Sequence, residues 1–460
     1  MKPRARTVAA AAGAVLALGA LGGLLAAPTP APPPSPTDSG QLRTAISTGA
    51  LLDHLTALQE IADAHGGNRA SGTPGYAASA DYVAARLAQA GFRVERQQFS
   101  YQRADYSKAT LQRRTPARTD YTVLRDHRPL AMSGAGSVIA EVAAVDLNLT
   151  GDRRTTSGCE AADFTGFPRG RIALVQRGTC SFATKVAHAQ TAGASAVIVL
   201  NQGDDPSRMG LFAGTLGSQA SVPVVATTFD LGAEWATTPS TTLAVTVEST
   251  SSRITTENLF ADTATGDPRH TVVLGAHLDG VAAGPGINDN ASGVAAVLET
   301  AVQFARLGIQ PANRVRFAFW GGEEDGLLGS EHYVGRLDEA DRDGTALYLN
   351  LDMIGSPNPD PAVYGGATGW PAGSAAARSV LSDFLTSQGV PPGTVSFSSS
   401  DHASFAAAGI AVGGLFTGAD EAADPCYHQA CDRVDTINHD MLGLMADAAA
   451  HATLTFAQPG

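Results

Sequence analysis

The sequence predicts an α/β protein, a layered domain of parallel strands and helices interrupted by a β-rich insertion. Three observations carry this reading. From His270 onward the short apolar runs TVVLGA, RVRFAFW, ALYLNL and AVGGLF alternate with helical stretches, as buried parallel strands do in layered α/β domains. Two helix-periodic segments precede residue 100. Between about Tyr121 and Thr250 the texture changes to short β-like runs punctuated by glycine and proline.

In chain order, Lys2, Arg4 and Arg6 precede an apolar run from Val8 to Ala27, the pattern of a secretory signal; an uncleaved anchor is the alternative. Pro28 to Pro36 is proline-rich and reads as an extended linker to about residue 45. Leu51, Leu52, Leu55, Leu58 and Ile61 fall at helical spacing and predict a helix over 50–64. A turn-rich stretch, GNRASGTPGY, separates it from a second helix over about 77–90, and 92–101 alternates as a strand. Within the insertion, residues 170–201 read as strand, cysteine-containing turn, helix and strand. The expected organisation is a signal over 1–27, a linker over 28–45, a first domain part over 46–124, an insertion over 125–253 and the resumed domain over 254–460.

The 460 residues carry 31 Lys+Arg against 44 Asp+Glu, a net charge of −13, which gives no grip on nucleic acid or anionic membrane. With 44% hydrophobic and 16% charged residues the chain has the material for proper cores and is not broadly disordered. No membrane insertion is expected after signal removal, and the protein is expected as a secreted monomer. Cys159, Cys180, Cys426 and Cys431 allow three pairings, of which proximity favours Cys159–Cys180 and Cys426–Cys431.

Acidic residues and histidines stand where the apolar runs end. His277 and Asp279 follow TVVLGA, Asp289 lies in GPGINDNASG, Glu323 and Glu324 follow RVRFAFW, and Asp352 follows ALYLNL. His428 and Tyr427 lie between two cysteines. Ligands of open α/β sheets gather at the carboxyl ends of the strands, so these groups are expected in one crevice. The set suits two divalent metals: Asp289 bridges, His277 and Asp352 complete one site, and Glu324 and His428 the other. Glu323 is then left as general base, and Asp279 can accept the proton on the second nitrogen of His277. Nitrogen and oxygen donors without thiolate suit zinc, with manganese and cobalt as alternatives.

The segments AHLDG, INDNASG, WGGEE, NLDMIG, SDHASF, GGLFTGA and DPCYHQACD resemble the M28 family of zinc aminopeptidases, especially its secreted actinobacterial members. GNRASGTPGYAASADYV resembles that family's N-terminal segment. The resemblance covers about residues 50–100 and 254–455. It implies a phosphorylase/hydrolase-like fold, a mixed sheet with helices on both faces, together with two co-catalytic zinc ions and peptide substrates, and it adds Tyr427 as a hydroxyl that polarises the scissile carbonyl or holds the oxyanion. It also suggests Met353 and Phe416 as the pocket for an apolar N-terminal side chain. Where the secreted relatives commonly carry arginine before the Ser-Asp-His triplet, this chain has Ser399. Residues 125–250 resemble a protease-associated (PA) domain, a β-rich cap linked to substrate access or partner contact.

A two-zinc aminopeptidase is the expected function. A carboxypeptidase or dipeptidase with the same centre is one alternative, although lysine and arginine are sparse near the motifs. A metal-free binding protein is the other, but every ligand position is present. His188 reads as a surface residue, and Asn148 and Asn290 match the glycosylation sequon.

Overall fold

The computed structural model describes residues 39–365, 370–396 and 399–458. The signal and the proline-rich stretch lie outside them. Among the described residues no helix is long and apolar enough to cross a membrane.

The strands Asn313–Trp320, Asp267–His277, Thr345–Leu351 and Val412–Phe416 pair side by side and parallel, and these are the four apolar runs. Alternation decides what each face buries. Val272, Leu274 and Ala276 enter a core with Leu51, Leu55, Val294, Leu298 and Met445, from the helices Thr48–Ala64, Ser292–Arg306 and His439–Ala457. Val273, between them, faces the opposite core of Trp320, Tyr333, Tyr348 and Phe405. Helices therefore cover both faces, as strands apolar on both sides require.

Three elements differ from the sequence reading. Residues assigned to the linker form a helix, Gly40–Ala45, because Leu42 is buried and Ser39 bonds His451 Nδ1 at 2.8 Å. The second helix starts earlier, at Pro74, where Thr73 caps Tyr76 N–H and proline suits the first turn. The first strand runs far past residue 101, over Val94–Thr115, paired antiparallel with Thr242–Asp262 along nearly its whole length.

That two-stranded ribbon joins the two halves. The strand Thr242–Asp262 pairs with Asn313–Trp320 at one end and with Gly136–Ala144 at the other, so one continuous sheet passes from the α/β body into the inserted cap. In the cap Gly136–Ala144, Ile172–Gln176, Ala196–Leu200 and Val224–Thr227 pair in parallel order. The helix Phe182–Ala192 follows the cysteine turn, and Cys159 is bonded to Cys180. His188 is half-buried, bonding Gly158 O at 3.2 Å.

Candidate metal centre

Three parallel strands deliver their chemistry at one edge. His277 ends its strand, Glu323 and Glu324 follow Trp320 by a two-glycine turn, and Asp352 follows Leu351 directly. Asp289 arrives from the loop that opens the helix Ser292–Arg306.

The loop is pinned from several sides. Asp432 accepts the N–H groups of Asn288 and Asp289 at 2.6 and 3.0 Å. The amide of Asn288 donates to Asp424 at 2.6 Å, and Asn290 bonds Leu351 O and Gly293 N. Asn290 is fully buried and so engaged, which rules out its sequon as a glycan site; the amide of Asn148 bonds Arg154 O at 2.9 Å. Gly286, at φ +65°, lies where a Cβ would stand 2.5 Å from Asp289 O, so only glycine fits. Arg69, wholly buried, donates to the carbonyls of Pro285, Leu278 and Gly286 and sets the loop against the His277 strand.

These constraints bring five residues together. Nε2 of His277 lies 3.3 Å from Asp289 Oδ1 and 3.3 Å from Asp352 Oδ1. Nε2 of His428 lies 3.0 Å from Asp289 Oδ2 and 3.1 Å from Glu324 Oε2. Two groups result, His277–Asp289–Asp352 and Asp289–Glu324–His428, the ligand atoms of each within 4.8 Å of one another. Asp289 belongs to both. His428, at φ +57°, and Tyr427 stand in the short loop closed by the Cys426–Cys431 disulfide.

The second nitrogen of His277 donates to the backbone carbonyl of Asp279 at 3.1 Å; its carboxylate is 3.8 Å away. That carboxylate is instead turned to the N–H groups of Glu323 and Glu324, which it accepts at 3.2 and 3.4 Å. Asp279 thus meets the histidine through its carbonyl in place of the carboxylate the sequence suggested, and its carboxylate positions the two-glutamate turn, a role its sequence position did not distinguish.

The electrostatics are those of crowded acids. Burial first, and then the charges of Asp352, Asp401 and Glu324, hold the Glu323 carboxyl well above the usual range. Burial and Asp289 push Glu324 up to about 7. Burial opposes charge on His428, but Asp289 and Glu324 outweigh it and lift it to about 10. Such convergence of acids is the environment a cation neutralises.

Glu323, Met353, Phe416, Tyr427 and Ser399 line one large cavity together with the five-residue cluster. Met353 is almost fully buried, while Tyr427 is exposed at 37%. Sequence reasoning passed over Arg69, Asp432 and Ser400. Arg69 lay in a turn-rich loop, and Asp432 directly follows Cys431.

A mixed α/β sheet whose four central parallel strands carry, at their carboxyl edge, two histidine–carboxylate trios sharing one aspartate, under a cap, is the architecture of a metal-dependent hydrolase. The chain belongs to peptidase family M28, which residues 258–453 match, and residues 138–235 match the PA domain. An aminopeptidase of Pseudomonas aeruginosa is 42% identical over 434 residues, covering 89% of this chain and 80% of that protein. The probable lipoprotein aminopeptidase LpqL of Mycobacterium tuberculosis is 40% identical over 451 residues, covering 91% and 86%. Among solved structures, an aminopeptidase from Aneurinibacillus sp. strain AM-1 superposes with a TM-score of 0.73 at 28% identity, over 92% of this chain and 97% of that one. BSAP, a zinc aminopeptidase from Bacillus subtilis, gives a TM-score of 0.57 at 25% identity, over 88% and 94%.

Proposed function

We propose that this protein is an exported aminopeptidase that holds two zinc ions and removes apolar N-terminal residues from peptides. The observation that carries the reading is Asp289, whose two carboxylate oxygens face different histidines at 3.3 and 3.0 Å. A carboxylate so shared is what a pair of neighbouring cations needs. The residues fit the ions: Oε1 of Glu324 is buried without a hydrogen-bond partner among the described residues, an acceptor a cation satisfies. His277, Asp289 and Asp352 would hold one ion, and Asp289, Glu324 and His428 the other. When bound, the ions polarise the scissile carbonyl and acidify water toward neutral pH.

The chain's own residues supply the rest. Glu323, adjacent to a ligand but outside both trios, takes the proton of the attacking water and passes it to the leaving amine. Burial, Asp289 and Glu324 keep the Tyr427 phenol protonated, so its hydroxyl donates to the developing oxyanion. Met353 and Phe416 receive the first side chain, and the acidic cluster meets the free α-amine.

The relatives' names support this reading over a carboxypeptidase. The Pseudomonas, Mycobacterium, Aneurinibacillus and Bacillus proteins are all named as aminopeptidases, the Mycobacterium one as probable, and BSAP is named for zinc. We place the packed peptidase body at 39–124 and 254–458, with the cap over 125–253 and the export signal over 1–27. The test is hydrolysis of leucyl peptides with free and acetylated N-termini, with elemental analysis of the dialysed protein. Cleavage of the free peptides alone, near two zinc per chain and loss of activity with chelator are expected. Equal cleavage of acetylated peptides, or metal-free protein with full activity, would sink the reading.

A further inference from the structure

The cavity over the cluster is about 1370 Å³. Small-ligand pockets span roughly 300–1,000 Å³, so this one has room beyond one side chain and the scissile bond. Its floor is acidic, and its far wall is the cap. At the junction of body and cap the turn 122–127 and the strand His127–Pro129 reach over it, with Val123, Leu124 and Arg128 in the lining. Leu124 is 70% exposed and Val123 43%, so both present apolar surface at the edge of the cavity.

Three cations stand in the lining: Arg103, Lys108 and Arg128. Two have acidic partners, since Arg103 lies 3.7 Å from Asp325 and Lys108 3.2 Å from Glu248. Arg128 makes no side-chain hydrogen bond or ion pair among the described residues. The acid on its own turn, Asp126, is taken by Arg125 at 2.7 Å. The backbone of Arg128 is fixed by pairing opposite Ala226, and buried His127 anchors the strand beside it. A half-buried guanidinium on a fixed strand, uncompensated, facing a cavity whose opposite wall is acidic, is a site for an anion of planar geometry.

We propose that Arg128 is a specificity-determining residue that binds a carboxylate on the leaving side of the peptide, while the acidic cluster holds the amine end. The inference rests on the aminopeptidase reading. It makes the cap a ruler: a short peptide whose carboxylate reaches Arg128 is gripped at both ends, with Val123 and Leu124 over its apolar side chains. The carboxylate can be a peptide's C-terminus or an acidic side chain.

The test compares Leu-Ala-Ala, its C-terminal amide and Leu-Ala-Asp-amide on wild-type protein and Arg128→Gln. Wild type is expected to favour the free acid over the amide, and Arg128→Gln to lower that kcat/KM ratio by about ten-fold, chiefly through KM. Arg128→Lys is expected to restore part of it. Preference for Leu-Ala-Asp-amide as well supports recognition of either carboxylate; preference for the free acid alone supports the terminus. Equal ratios in wild type and Arg128→Gln overturn the proposal. Wild-type protein that cleaves neither these peptides nor leucine anilide overturns the aminopeptidase reading instead. The acid-over-amide preference is then measured as binding by calorimetry, and equal affinities for wild type and Arg128→Gln overturn the subsite.

Discussion

Ser400 donates its hydroxyl to Oδ2 of Asp352 at 2.6 Å, leaving Oδ1 of that carboxylate to face His277 at 3.3 Å. Ser400 itself accepts from the amide of Asn350 at 2.8 Å, so the hydroxyl is held in that direction. One oxygen is spoken for by the protein and the other is aimed at the centre. Ser400→Ala is expected to let the carboxylate turn and to weaken metal affinity by about 10–100-fold, the usual cost of losing a group that orients a ligand. Competition titration against a chelator measures it, and unchanged affinity would show that Ser400 does not orient Asp352.

Arg69 holds the carbonyls of Leu278, Pro285 and Gly286 in a fully buried position. Burial lowers its guanidinium to about 10 against the pull of Asp432, Asp279 and Asp289, so it stays charged at neutral pH. Arg69→Met is expected to leave three carbonyls unpaired and to lose a buried cation among acids. The cost is about 3–5 kcal/mol of stability, read in urea unfolding. Arg69→Lys, which reaches fewer of the carbonyls, is expected to recover only part. A loss under 1 kcal/mol for Arg69→Met would mean the loop is held by Asp432 and Asn288 alone.

The contrast between His277 and Arg69 shows what was legible. His277, Glu323, Glu324 and Asp352 each follow an apolar run, so strand period and sheet topology together place them at one edge before any coordinates exist. Arg69 belongs to no run. Its partners are backbone carbonyls more than two hundred residues away, which leave no mark in side-chain pattern. The ribbon Val94–Thr115 was foreshortened for a related reason. One side stays turned inward, but beyond Tyr101 only Leu111 is fully buried among its described side chains, and a register shift between Tyr106 and Lys108 moves the inward positions, so the alternation fades while the pairing with Thr242–Asp262 continues.

Lys185 gives a pH test in the cap. It is fully buried on the helix Phe182–Ala192 and donates to Ser157 O at 2.5 Å. Burial lowers its ammonium from 10.5 to about 8, despite Asp163, Glu160 and Asp146. The folded pKa is depressed, so the stability is complete above 10.5 and is lost as pH falls through about 8. Between those values the unfolded chain binds the proton and the folded one does not, so stability climbs with pH. The rise is on the order of 3 kcal/mol for a shift of this size. Lys185→Met is expected to lack that rise. Unfolding curves at pH 7.5 to 10.5 compare the two, and parallel profiles would show that Lys185 titrates normally.

Glu323 and Glu324 are neighbours with separable expected roles. Glu324 Oε2 lies 3.1 Å from His428, and Glu324 belongs to a ligand trio. Glu323 belongs to neither, yet it lines the same cavity and is buried. Glutamine nearly conserves size, so neither change opens a cavity, but each removes a different property. In Glu323→Gln the proton acceptor goes while the ligands stay. General acid–base catalysis contributes about 10²–10⁴-fold, so kcat is expected to fall by at least that order, with KM changed far less. Glu324→Gln instead replaces a charged ligand by a neutral one, and the expected first loss is metal from the His428 side. Measuring kcat together with zinc content in both variants separates them. Near-normal kcat in Glu323→Gln would remove it as the base, and zinc lost from Glu323→Gln as from Glu324→Gln would make it a ligand.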